Sequence, residues 1–89
     1  MNLNPVSLTA GARLAEFERL LRACRLTSRD AADTLGLTYE SIRGYQRGSQ
    51  APSGPAMVAL AALAALPSDQ REALIVRHVR MSRAEGALL

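Results

Sequence analysis

Lysine is absent from the sequence, so its positive charge rests on eleven arginines. Against eight acids these leave a net charge of +3 and a pI near 10.0, a modest surplus that suits nucleic acid or another polyanion without requiring one. A lone cysteine excludes an internal disulfide and a cysteine-based zinc site. The single histidine, His78, stands among Arg77, Arg80 and Arg83 with no second ligand beside it, so it reads as a surface residue and no metal is expected. Tryptophan is missing and aromatics make up 3%, which leaves alanine and leucine to carry the packing of a chain that is 48% hydrophobic. The longest apolar run, Ala56 to Leu66, has eleven residues, well short of the roughly 20 needed to cross a bilayer. The opening MNLNPVS has neither a basic nor an apolar leader segment, so the cytoplasm is the expected compartment. Nucleophile–base pairs, paired acids on one face, phosphate-cradling glycine loops and metal-ligand spacings are all lacking. Neither an enzyme, a cofactor nor a small-molecule ligand is therefore expected, and 89 residues leave room for one small domain.

What is present is helical periodicity, and it predicts a compact all-α domain of five helices. Residues 1–8 carry Asn4-Pro5 and no helical period, and read as a flexible arm. Ser7 or Thr9 caps a first helix reaching about Cys24, with Leu14, Phe17, Leu20, Leu21 and Cys24 at three- and four-residue steps as its buried stripe. Glu18 and Arg22 are spaced to pair on the outer face. A fourth helix begins at Ser53 and Pro55 by cap and first-turn preference. It is apolar on every side: Met57, Leu60, Ala61 and Ala64 are expected to face the two short helices that precede it, while Val58, Leu63 and Leu66 need another cover. Pro67 and Ser68 interrupt the chain, and a fifth helix follows from about Asp69 to Met81 with Leu74, Ile75, Val76 and Val79 apolar. It either folds back over the fourth helix or meets its own copy. The domain is thus expected over 9–81, with 82–89 a frayed tail.

Between these segments lies LTSRDAADTLGLTYESIRGYQRGSQAP, Leu26 to Pro52, which reads as two short helices broken at one glycine. Thr27 is placed as N-cap of the first, with Asp30 three residues on, and Ala31, Ala32 and Leu35 share its inner side. Gly36 is suited to end that helix in a left-handed conformation. Leu37 plugs the turn and Thr38 caps the second helix, Tyr39 to about Arg47, which stops at Gly48. On a wheel of roughly 100° per residue, Ile42 and Tyr45 fall on one side with Ser41 beside them. Glu40, Arg43 and Arg47 fall opposite, flanked by Tyr39 and Gly44. Outward arginines suit guanine O6/N7 and phosphate, because guanidinium is a planar fork of donors. The same residues equally describe a solvated helix face.

This stretch resembles the helix-turn-helix of the phage-repressor family, the Cro- and Xre-like regulators. Leu26, Thr27, Ala32, Leu35, Gly36, Leu37, Thr38, Ile42, Arg47, Gly48, Pro52 and Ser53 match that family's pattern in order without a gap, and a weaker likeness extends over residues 14–66. Ser28 departs from it, standing where the family often has a phosphate-contacting glutamine, and Gly44 stands where a side chain is usual. The resemblance implies a lambda-repressor-like fold and a sequence-specific transcriptional regulator, an autoregulatory repressor of the kind found on prophages and other mobile elements. It further implies that the helix Tyr39–Arg47 enters the major groove of double-stranded DNA while the preceding helix crosses the backbone. Tyr39, Glu40 and Arg43 are then the base-reading candidates. Glu40 either accepts from a cytosine or orients Arg43. Thr27, Ser28, Arg29, Thr38, Arg47, Ser49 and Gln50 are the phosphate candidates; Arg29 alternatively pairs with Asp33. The competing reading is a protein-interaction module or antitoxin that keeps the fold with little operator binding. Surplus apolar surface on the last two helices predicts a homodimer on an inverted-repeat operator, with Val58, Leu63, Leu66, Leu74, Ile75 and Val79 as its interface.

Overall fold

The computed structural model describes residues 10–88, with the side-chain surroundings of residues 11–84. The expected arm 1–8 and the capping Thr9 lie outside the described residues. Five helices follow one another: α1 (Ala10–Ala23), α2 (Ser28–Leu35), α3 (Tyr39–Arg47), α4 (Gly54–Ala65) and α5 (Ser68–Leu88). The all-α, five-helix expectation is met. Among the described residues no helix is long and apolar enough to cross a membrane.

The α1 stripe forms the spine of the core. Phe17, Leu20, Leu21 and Cys24 are all buried, and Leu14 packs partly against them. Phe17 meets Tyr45 of α3 edge to face, with ring centroids 5.5 Å apart at 84°, a favoured aromatic geometry. Ala31 and Ala32 of α2 and Ile42 of α3 close the cluster, and their small size lets the α2 backbone come near. On the outer face of α1 the ion pair joins Arg19 to Glu16, at 2.9 and 2.5 Å, and not Arg22 to Glu18 as the spacing suggested. The Arg19 hydrogen bonds hold the Glu16 carboxyl below its usual range.

Each short helix is delimited by its own residues. Thr27 Oγ1 accepts from the Asp30 N–H (3.1 Å), and Thr38 Oγ1 accepts from the Ser41 N–H (3.0 Å). Gly36 (φ 69°) and Gly48 (φ 78°) terminate α2 and α3 in the left-handed region. At the end of α1 no glycine is available, and Arg25 takes the left-handed position itself, at φ 55°. There Leu26 N–H returns to Leu21 C=O at 2.9 Å, a six-to-one closure of the helix end.

α4 packs on α1, burying Ala56, Leu60 and Leu63, with Met57 and Ala64 partly buried. Ala61, expected inside, is exposed, and Val58 stands 70% exposed. α5 corrects the sequence reading most. It does not lie back over α4 but packs along α2, and it runs through Leu88, so residues 82–88 are its final turns and no frayed tail. Arg71 on its first turn donates to the Ala64 and Leu66 carbonyls (3.3 and 3.5 Å), satisfying the C-terminus of α4. At its far end Ser82 Oγ donates to Asp33 (3.3 Å), while Arg83 bridges Asp33 (3.2 Å) and Asp30 (3.0 Å) of α2. With 21 residues, α5 is about 31 Å long at 1.5 Å per residue, which draws the molecule out to 52 × 30 × 17 Å.

Candidate nucleic-acid interface

α3 is a helix with one face committed. Ile42 and Tyr45 are buried against α1 and α2, which fixes the rotation of the helix and turns Tyr39, Glu40, Arg43 and Arg47 away from the core. Tyr39 is 39% exposed, and the Arg29 guanidinium of α2 lies 4.9 Å over its ring. That contact holds the pair as a cation–π stack. Arg29 therefore does not pair with Asp33, whose oxygens are occupied by Ser82 and Arg83. Glu40 does not orient Arg43 either: it reaches Arg47 at 3.8 Å, a loose and solvent-exposed pair.

Arg43 is held from another side. Its Nη1 donates to Gln46 Oε1 at 2.8 Å, and the same oxygen accepts from Ser28 Oγ at 3.0 Å. Gln46 thereby ties the first turn of α2 to the outer face of α3. Sequence reasoning missed it, although its place three residues after Arg43 was a visible signal. Gly44 also needs correction. The wheel placed it beside the outward face, but it is buried. After the left-handed turn at Gly48 the chain doubles back, and the Gln50 side chain lies across Gly44; a Cβ there would come within 2.7 Å of Gln50 Nε2.

The phosphate candidates split into two groups. Thr27, Thr38, Ser28 and Arg29 gather at the N-termini of α2 and α3, where backbone donors and the helix dipoles favour an anion. Ser49 and Gln50 follow α3, Ser49 Oγ donating to Gly44 C=O (3.1 Å) and Gln50 Nε2 to Ser41 C=O (3.4 Å). Hydroxyl donors are engaged in both groups, Ser28 Oγ on Gln46 Oε1 (3.0 Å) and Thr38 Oγ1 on Ser41 Oγ (2.9 Å), so a phosphate contact donated by Ser28, Thr38 or Ser49 requires exchanging that bond.

Asp30 and Asp33 put two negative charges on α2, and Arg83 of α5 pairs with both (3.0 and 3.2 Å). Fifty residues separate Asp33 from Arg83, so no local pattern announces the pairing.

Of the expected dimer residues, Leu63 is 7% exposed within the single chain and has little surface to offer a partner. Ile75 and Val79 are half-buried on the inward side of α5. Val58 and Leu74 do remain exposed, joined by Val76 and Met81. Between α4, α5 and the α2–α3 turn runs a groove of about 520 Å³ lined by Leu35, Leu37, Ala59, Leu63, Leu66 and Leu74. His78 stands at its wall, exposed as expected, and Thr34 contributes a buried hydroxyl without a partner.

Comparison with protein-family models, characterised proteins and solved structures gives no match for this chain.

Proposed function

We propose that α2 and α3 form a helix-turn-helix and that the protein is a sequence-specific DNA-binding regulator, cytoplasmic and non-enzymatic, repressing from an inverted-repeat operator as a homodimer. The observation that carries this reading is the rigid mounting of α3. Its buried Ile42 and Tyr45 leave Tyr39, Glu40, Arg43 and Arg47 projecting from a helix capped at both ends. A nine-residue helix presented this way fits the major groove, and the capped N-termini of both short helices suit contacts to phosphate. Arg43 reads a guanine, Tyr39 contacts a thymine methyl or sugar, and Arg47 engages the backbone.

A second reading is supported by the apolar surface. The apolar α4–α5 groove with the exposed Leu74 on its wall, and the exposed Val58, Val76 and Met81 elsewhere on the two helices, suit a protein partner, as in an interaction module or antitoxin. Anisotropy titration separates the two. Duplexes selected from a random pool, and scrambled controls, are titrated at two salt concentrations. The regulator reading expects a preferred sequence bound at least about a thousandfold more tightly than the control. Equal, salt-labile binding to every duplex would leave the interaction reading in its place.

A further inference from the structure

We infer that Gln46 is the positioning residue that sets how Arg43 presents its fork, an inference that rests on the DNA-binding reading. A carboxamide oxygen has two lone pairs, and here both are filled from different helices, by Ser28 Oγ of α2 at 3.0 Å and by Arg43 Nη1 at 2.8 Å. The assignment of this amide is chemically forced: guanidinium has no acceptor, so the oxygen must face Arg43. Both residues are half-buried, in contrast to the exposed and loosely paired Arg47. Arg43 is thus not free to sample its rotamers before binding.

The geometry also selects which edge remains. With one Nη1 hydrogen taken by Gln46, the edge left wholly free is the side edge, Nε–H and Nη2–H. That edge is itself a two-donor fork suited to the O6/N7 pair of guanine. Gln46 therefore favours a side-on approach, and part of the ordering cost is met in the free protein instead of on the DNA. Ser28 belongs to the same device, since its hydroxyl anchors the amide that anchors the arginine.

The test is a double-mutant cycle. Q46M preserves length and helix propensity but removes the acceptor; R43A removes the arginine; both are measured, singly and together, on the preferred duplex and on one with the Arg43-dependent base pair changed. Q46M is expected to lose at least about fivefold in discrimination at that same base pair, and to add no further loss when introduced into the R43A protein. Q46E, which keeps an acceptor for both donors, should retain the discrimination while binding all DNA more weakly. In the free protein, the Arg43 guanidinium nitrogens should show slowed rotation by NMR, lost in Q46M. Unchanged discrimination in Q46M, independent effects of the two substitutions, or a freely rotating Arg43 in the wild type would each overturn the inference. A wild-type protein without any preferred sequence would instead overturn the DNA-binding reading on which it stands. Helical content by circular dichroism guards against a folding defect, and S28A supplies a milder perturbation of the same oxygen.

Discussion

Arg25 holds the left-handed conformation that ends α1, at φ 55°, and carries a Cβ into a region where L-residues are crowded. Its side chain is exposed. Arg25→Gly should therefore raise unfolding free energy by about 1 kcal/mol, less whatever the glycine adds to unfolded-chain entropy, as read from urea midpoints. A loss of stability would mean the arginine makes compensating contacts. On α3, Arg43→Ala should cost about 1–3 kcal/mol on the preferred duplex and relax preference at one base pair per half-site. Arg47→Ala should weaken all duplexes alike and lower the salt slope by about one. Equal losses for Arg43→Ala on preferred and scrambled DNA would remove Arg43 from base reading. At this scale the sequence was most readable where one residue type has one job. Thr27, Thr38, Gly36 and Gly48 cap as their chemistry dictates. Arg25 was not readable, because the left-handed position fell to a residue with no preference for it.

Among the helices, α1 to α4 were legible because each has a cap, a breaker or a packed stripe of its own. α5 was not. Its apolar residues lie on more than one side, and its docking on α2 depends on Ser82 and Arg83 meeting acids some fifty positions earlier. Local pattern therefore ended it at Met81, while tertiary pairing carries it to Leu88. Gly44 fell outside local reach too: the wheel knows angles but not that Gln50 folds back over them. The clasp itself predicts a measurable effect. The Arg83 side chain is 57% exposed, so Arg83→Ala should cost only about 0.5–1 kcal/mol of global stability. It should nevertheless speed amide hydrogen exchange in the last turns of α5 well beyond that in α1. Unaltered exchange there would show that packing along α2 holds the helix without the ion pairs.

For the whole molecule, the decisive quantity is apolar surface left over after one chain has folded. An α4 that is apolar all round and an α5 touching the body along one side leave Val58, Leu74, Val76 and Met81 in water. Burying such side chains is worth roughly 1.5–3 kcal/mol each when complete, which favours a second copy over the side of α5 that Leu74 and Met81 share. The structure redirects the test of this pairing from Ile75 and Val79, which are half-buried within the chain, to the exposed Leu74 and Met81. Light scattering at tens of micromolar should give two chains for the wild type. Leu74→Asp with Met81→Asp should give one chain of unchanged helicity, and weaker binding to an inverted repeat. A one-chain wild type binding a single half-site tightly would end the dimer proposal.

The lone thiol of the chain has a use as a stopwatch. Cys24 is 5% exposed at the end of α1, its thiol directed at the Leu60 carbonyl of α4, 3.9 Å away, and burial pushes its pKa above the ordinary 9.0. The unfolded chain ionises the thiol more readily, so stability should decline as pH climbs past that ordinary value. Near neutrality an aromatic disulfide reagent can react only when Cys24 is uncovered, by α4 parting from α1 or by α5 lifting from the cleft that Arg71, Ile75 and Val76 line beside the thiol. If that happens solely in global unfolding, the opening free energy from labelling should equal that from urea melts. A smaller value would mean that α4 or the first turns of α5 lift from the spine while the rest of the chain remains folded.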